Sequence, residues 1–236
     1  MNITVEQTPR QKLSSYILEH VNSVSIVHIP GTQLSDSIHT ITSIKKQGKK
    51  VNLIPHIAAR TLKNKNELYE NCKKFLDLGI KDILIVGGSA DTGICYSNAF
   101  EVYNDIQCKN YQFNLLCGVY PVHENKTEVD NIKYTKFTRG VTQVCLNHHL
   151  LNQFDKKTII GVPSKCSIKS LLKFIKICGV GQSIYEVKKN ISGFKYISFS
   201  GFDTNRFVKN LKNNNDIHIF NFGNMENTIK SLQKLL

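Results

Sequence analysis

The chain has 236 residues, 41% hydrophobic and 21% charged, and its 31 Lys and Arg against 18 Asp and Glu leave a formal net charge of +13. Its longest apolar runs, such as Asp82-Ile-Leu-Ile-Val-Gly, fall far short of the ~20 residues that cross a bilayer, which excludes a membrane-spanning role. Met1-Asn-Ile-Thr-Val-Glu-Gln lacks the basic head, apolar stretch and cleavage site of a signal peptide, so a cytoplasmic protein with no membrane partner is expected.

Taken in order, short β-branched runs alternate with amphipathic stretches. The candidate strands are 2–8, 24–29, 51–57, 82–86, 113–119, 140–146, 158–162 and 217–222. Lys65 to Leu78 reads as a helix, with Leu68, Cys72, Phe75, Leu76 and Leu78 as its apolar stripe and Gly79 as its stop. Ser167 to Ile177 repeats the pattern with Ile168, Leu171, Leu172 and Ile175, and 224–236 reads as a closing helix. Residues 181–200 fit a short helix and an extra strand over 195–200. No Pro/Gly/Ser linker or tandem repeat divides the chain. One domain over 1–236, a single (β/α)8 TIM barrel, is therefore the expectation, with an open doubly wound sheet as the structural alternative.

The seven cysteines (72, 95, 108, 117, 145, 166 and 178) include no Cys-x-x-Cys pair and read as reduced, core-packed thiols. His148-His149 point about 100° apart on a helix and read as packing or surface residues, so no metal site is expected. The lysines fall as singles and pairs without a basic tail, and no nucleic-acid partner is expected.

Barrel chemistry sits where strands end, and these ends are polar. The alternation Ile3, Val5, Gln7 against Thr4, Glu6, Thr8 turns Glu6 away from the apolar face and into the barrel. Pro55-His56-Ile-Ala-Ala-Arg60 follows the third strand, Gly87-Gly88-Ser89-Ala90-Asp91 the fourth, Tyr120-Pro121-Val-His123 the fifth, and Thr142-Gln143 ends the sixth. Gly87 and Gly88 free backbone N–H groups to approach an anion. No Gly-x-Gly-x-x-Gly or Gly-x-Ser-x-Gly is present, which argues against a Rossmann dinucleotide site and a serine hydrolase.

In this collinear order the segments resemble the methylenetetrahydrofolate reductase family of flavin-containing barrels. Glu6 in Thr-Val-Glu-Gln-Thr-Pro resembles the family's first-strand glutamate, and Pro55-His56 its third-strand Pro-His. Gly79-Ile-Lys-Asp-Ile-Leu-Ile-Val-Gly-Gly resembles the approach to the fourth strand, Tyr120-Pro121-Val-His123 the fifth, Thr142-Gln143 the sixth and Phe220-Asn221 the eighth. Gly87-Gly88-Ser89 stands where the family has Arg-Gly-Asp, and the family's Lys-x-x-x-Ala-Gly-Ala is not recognisable over 130–139. With Pro-His-Ile-Ala-Ala-Arg and Cys178-Gly179-Val180-Gly181-Gln182-Ser183, the chain looks like a compact, divergent branch.

The resemblance implies an oxidoreductase of one-carbon metabolism and methionine biosynthesis, acting on tetrahydrofolate derivatives, with FAD and NADH or NADPH as cofactors and room for a homo-oligomer. Direct hydride transfer between nicotinamide and folate is the flavin-free alternative. Glu6 is the implied catalytic acid; Gln143, Ser89, Asp91 and Gln182 would bind substrate. His56, Arg60, Gly87, Gly88, Tyr120 and His123 would bind cofactor. A folate-dependent methyl or one-carbon transferase, a non-catalytic folate-binding protein and a basic nucleic-acid-binding protein are the rival readings.

Overall fold

The structure is a computed structural model that describes residues 1–9, 11–28, 31–88, 94–121, 136–177, 194–198, 201–211 and 216–235. Its centre is a closed barrel of eight parallel strands. They are β1 (Ile3–Gln7), β2 (Ser23–Ile26), β3 (Asn52–Ala58), β4 (Asp82–Val86), β5 (Asn114–Val119), β6 (Arg139–Thr142), β7 (Thr158–Pro163) and, after a two-stranded side sheet, β10 (Ile217–Phe220). Helices α1 (Ser15–His20), α2 (Leu34–Lys46), α3 (Lys65–Asp77), α4 (Ala99–Cys108), α5 (His148–Leu151), α6 (Ile168–Ile177), α7 (Thr204–Lys209) and α8 (Met225–Leu232) lie between and after the strands. The barrel, and not the open sheet, is what the βα alternation builds, because eight parallel strands with right-handed crossovers close on themselves.

Strand parity divides the apolar residues into two cores. Val5, Val24, Ile26, Leu53, Ile83, Ile85, Leu115, Ile160, Val162, Ile217 and Ile219 face outward and join the helices in one large core. Inside the barrel Ile54, Leu84, Leu116, Val141 and Ile159 form a second, smaller apolar cluster, with Val86 beside it. The other half of the lumen is polar: Thr4 pairs in register with Ser23 and with His218, and Glu6 with Ser25. That asymmetry leaves titratable groups in the middle of the fold.

Gly161 lets the two halves meet. A Cβ at this position would stand 2.2 Å from the Thr142 carbonyl oxygen and 2.6 Å from Phe220 Cε2, so only glycine leaves room for Phe220 to lie across the lumen. At the end of α3, Gly79 adopts φ +65°, and the Ile80 and Gly79 N–H groups donate to the Phe75 and Leu76 carbonyls, which closes the helix as its position predicts. The opposite mouth of the barrel is closed by Arg139, which donates to Asp216 at 2.7 Å, and by Asn52 and Asn114, which both donate to Asp82.

Several boundaries differ from the sequence reading. The sixth strand ends at Thr142, not Leu146: the Gln143 N–H makes a last bond to the Val119 carbonyl at 2.7 Å, and the chain then runs to α5, whose first N–H groups donate to the Asn147 side chain. The eighth barrel strand ends at Phe220, not Phe222. The extra strand expected over 195–200 is reduced to β8 (Ile197–Ser198), antiparallel to β9 (Gly201–Phe202) and outside the barrel. Of the cysteines, Cys72, Cys117, Cys145 and Cys166 are buried, but Cys108 is exposed at the end of α4, and Cys178 lies outside the described residues. Among the described residues no helix is long and apolar enough to cross a membrane.

Candidate active site

The C-terminal ends of the strands surround a cavity of about 600 Å³, within the size range of small-molecule sites. Glu6 reaches it from β1, His56 and Arg60 from β3 and the 3-10 turn after it, Gly88 from beyond β4, Tyr120 from beyond β5, and Gln143 from beyond β6. The structure thus brings six of the expected site residues to one cavity. Gly87 sits beside it, its carbonyl accepting from the Arg60 backbone N–H at 3.0 Å. Ser89, Asp91, His123 and Gln182 lie outside the described residues.

Glu6 points into the lumen, as the strand alternation predicts, with its side chain 16% exposed. Its carboxylate oxygen Oε1 stands 3.2 Å from Nε2 of His218, which is 2% exposed. His56 is also buried and engages the Ser25 hydroxyl through Nε2. Burial, reinforced by the nearby His218 and His28 rings, pulls the His56 imidazole down to about 3, so it stays neutral at ordinary pH. The His56 and His218 rings are 6.4 Å apart.

Arg60 is held by the glycine turn. Its guanidinium donates to the Gly88 carbonyl, while its buried Nε has no partner among the described residues. Two carbonyls of this turn bind Arg60, that of Gly88 through the guanidinium and that of Gly87 through the backbone N–H. Gly88 adopts φ +86°, and a Cβ there would come 3.3 Å from the Ala58 Cβ. Thr142 lines the cavity but spends its hydroxyl on the Gly161 N–H at 2.7 Å, which is a structural duty.

Two groups of lining residues escape the sequence reading. One is His218, whose parity in Asp-Ile-His-Ile-Phe already places it on the Phe220 side of the strand, facing inward. The other is an aromatic wall: Phe174 of α6 stacks on Phe222 with centroids 4.4 Å apart and rings 1° from parallel, and Phe220 adjoins Phe222 at 5.9 Å. Val86, Val119 and Val141 line the same cavity. Such a slot suits a planar conjugated ring, while Gln143, with both a donor and an acceptor, can read its polar edge. Among the described residues no group of three or more His, Cys, Asp or Glu could hold a metal ion.

No protein-family profile matches the chain. Solved structures similar to it include oxaloacetate acetylhydrolase in complex with 3,3-difluorooxalacetate, at a TM-score of 0.55 and 9% identity over 99% of this chain and 79% of that one. A second is 2,3-dimethylmalate lyase of the PEP mutase/isocitrate lyase superfamily, at 0.52 and 8% over 99% and 80%. A third is concanavalin B, at 0.51 and 9% over 100% and 98%. At these identities the likeness establishes the architecture alone: the chain is a (β/α)8 barrel.

Proposed function

We propose that the protein is an oxidoreductase similar to methylenetetrahydrofolate reductases, interconverting 5,10-methylenetetrahydrofolate and 5-methyltetrahydrofolate. The observation that carries this reading is the meeting of Glu6 and Gln143, from strands far apart in sequence, in one cavity with an aromatic wall. These are the groups the reaction requires: an acid for a folate nitrogen, an amide for the pterin edge and a flat apolar surface for the ring.

The residues present also fit a redox cofactor. The Arg60 Nε, buried and without a partner among the described residues, can donate to a bound group, and the valine and aromatic side chains lining the cavity suit a flavin or nicotinamide ring. Arg60, Gly88, Tyr120 and His56 would hold it. A flavin or nicotinamide, when bound, supplies or accepts the hydride. The chain's own contribution is acid–base work and positioning. Glu6 protonates the folate nitrogen of the methylene bridge, the carbon–nitrogen bond opens and an iminium forms at the carbon that takes the hydride. Gln143 orients the pterin, and the barrel walls keep water from the iminium. The net charge of +13 favours anionic folates over neutral competitors.

The test is an absorbance spectrum of the purified protein, followed by methylenetetrahydrofolate-dependent oxidation of NADH and NADPH with and without added FAD or FMN. Folate-dependent turnover supports the proposal, a yellow protein by the flavin route and a colourless one by direct transfer. Folate binding without turnover under every condition would overturn it in favour of a transferase or a binding protein.

A further inference from the structure

We propose that His218 is a positioning residue for Glu6, fixing the carboxyl through Oε1 so that the proton to be delivered travels on Oε2. The inference rests on the reductase reading for its chemistry, but the contact behind it is geometric. His218 is buried at 2% exposure in the otherwise apolar Ile-His-Ile-Phe of β10, and a polar group there is costly without a partner. The partner the fold supplies is Glu6, with Nε2 3.2 Å from Oε1. The ring itself is held by its neighbours: Phe220 meets it edge-on at 4.9 Å, and Phe220 is fixed in turn over Gly161. The other lumen histidine near the site, His56, directs its Nε2 to Ser25.

The consequence follows from donor and acceptor capacity. An ionised carboxylate only accepts, so the His218 nitrogen facing it, Nε2, is the one that carries a hydrogen. When Glu6 is protonated, Oε1 still accepts from that N–H as a carbonyl oxygen, and the acidic hydrogen resides on Oε2. Delivery then moves one proton from Oε2 to the folate nitrogen as the bond from that nitrogen to the methylene carbon breaks. The carbon is reduced by the hydride of a dihydronicotinamide or reduced flavin. Glu6 is left as a carboxylate on which the His218 contact becomes charge-assisted. The contact therefore persists through both protonation states and strengthens in the second, which favours proton transfer over ground-state binding.

The experiment compares wild type with His218→Phe, His218→Gln, Glu6→Gln and the double variant Glu6→Gln/His218→Phe. It measures kcat and KM for methylenetetrahydrofolate, with urea unfolding of each protein. His218→Phe is expected to lower kcat by about 30-fold or more with KM within about threefold, and His218→Gln, which keeps an amide donor, to recover about tenfold of that loss. In the Glu6→Gln background, His218→Phe is expected to cost less than about threefold further, since its effect runs through Glu6. Additive losses, or a loss confined to KM, would overturn the inference. If His218→Phe does not fold, His218→Asn, whose shorter amide stops short of Oε1, replaces it in the cycle. If wild type itself shows no turnover, the reductase reading falls and the unfolding cycle decides the positioning contact alone: non-additive shifts of the urea midpoint support it, and additive shifts overturn it.

Discussion

Replacing His56 changes how the protein responds to acid. Burial holds its imidazole at about 3, against an ordinary value of 6.5, so between these limits the unfolded chain binds a proton that the folded chain refuses. Stability rises with pH wherever the unfolded state binds more protons, so this contribution is present above about 6.5 and is lost as the pH falls toward 3. Integrated from pH 7 to pH 5, the loss from this one group is about 2 kcal/mol at ~1.4 kcal/mol per unit. His28, also buried and also lowered by desolvation, acts in the same direction. Urea unfolding of wild type and His56→Gln at both pH values isolates the term, because every other group titrates in both proteins. Wild type is expected to lose about 2 kcal/mol more than the variant across this range. Parallel pH dependence in the two proteins would refute the reasoning. So would a histidine ring titration by NMR in which the His56 signals move between pH 7 and pH 5.

Three further outcomes follow from packing. Gly161→Ala drives a methyl into the Thr142 carbonyl and the Phe220 ring and is expected to cost about 1–3 kcal/mol in unfolding free energy, read from the urea midpoint; an unchanged midpoint would contradict the placement of Phe220. A thiol reagent is expected to label exposed Cys108 well before Cys72 and Cys117, whose thiols burial pushes up to about 12, as mass spectrometry of digests would reveal. Asn98→Ala removes the side-chain acceptor of the Phe100 and Glu101 N–H groups at the start of α4 and is expected to cost about 1 kcal/mol, also by urea unfolding.

The barrel was legible because each strand is short, β-branched and followed by a stretch of helical period. Ile83-Leu-Ile and Thr158-Ile-Ile-Gly-Val are buried on both faces, as parallel strands require. The inward turn of Glu6 was legible from parity alone. Its partner was not, since His218 lies over two hundred residues away and meets Glu6 only because β1 and β10 close the barrel. The Phe174–Phe222 wall was hidden for the same reason: each phenylalanine reads as ordinary core on its own element. The glycines after β4 were legible as a turn beside the site, but the contact of the Gly88 carbonyl with the Arg60 guanidinium was not, because sequence shows which backbone can bend and not which side chain reaches it.

The central claim is that Glu6 donates the proton that opens the methylene bridge, and Glu6→Gln tests it directly. The variant should bind 5-methyltetrahydrofolate with Kd within about threefold of wild type while kcat falls about 100- to 10,000-fold, the usual worth of a general acid. A folded Glu6→Gln protein that turns over methylenetetrahydrofolate at a rate near wild type would contradict the account.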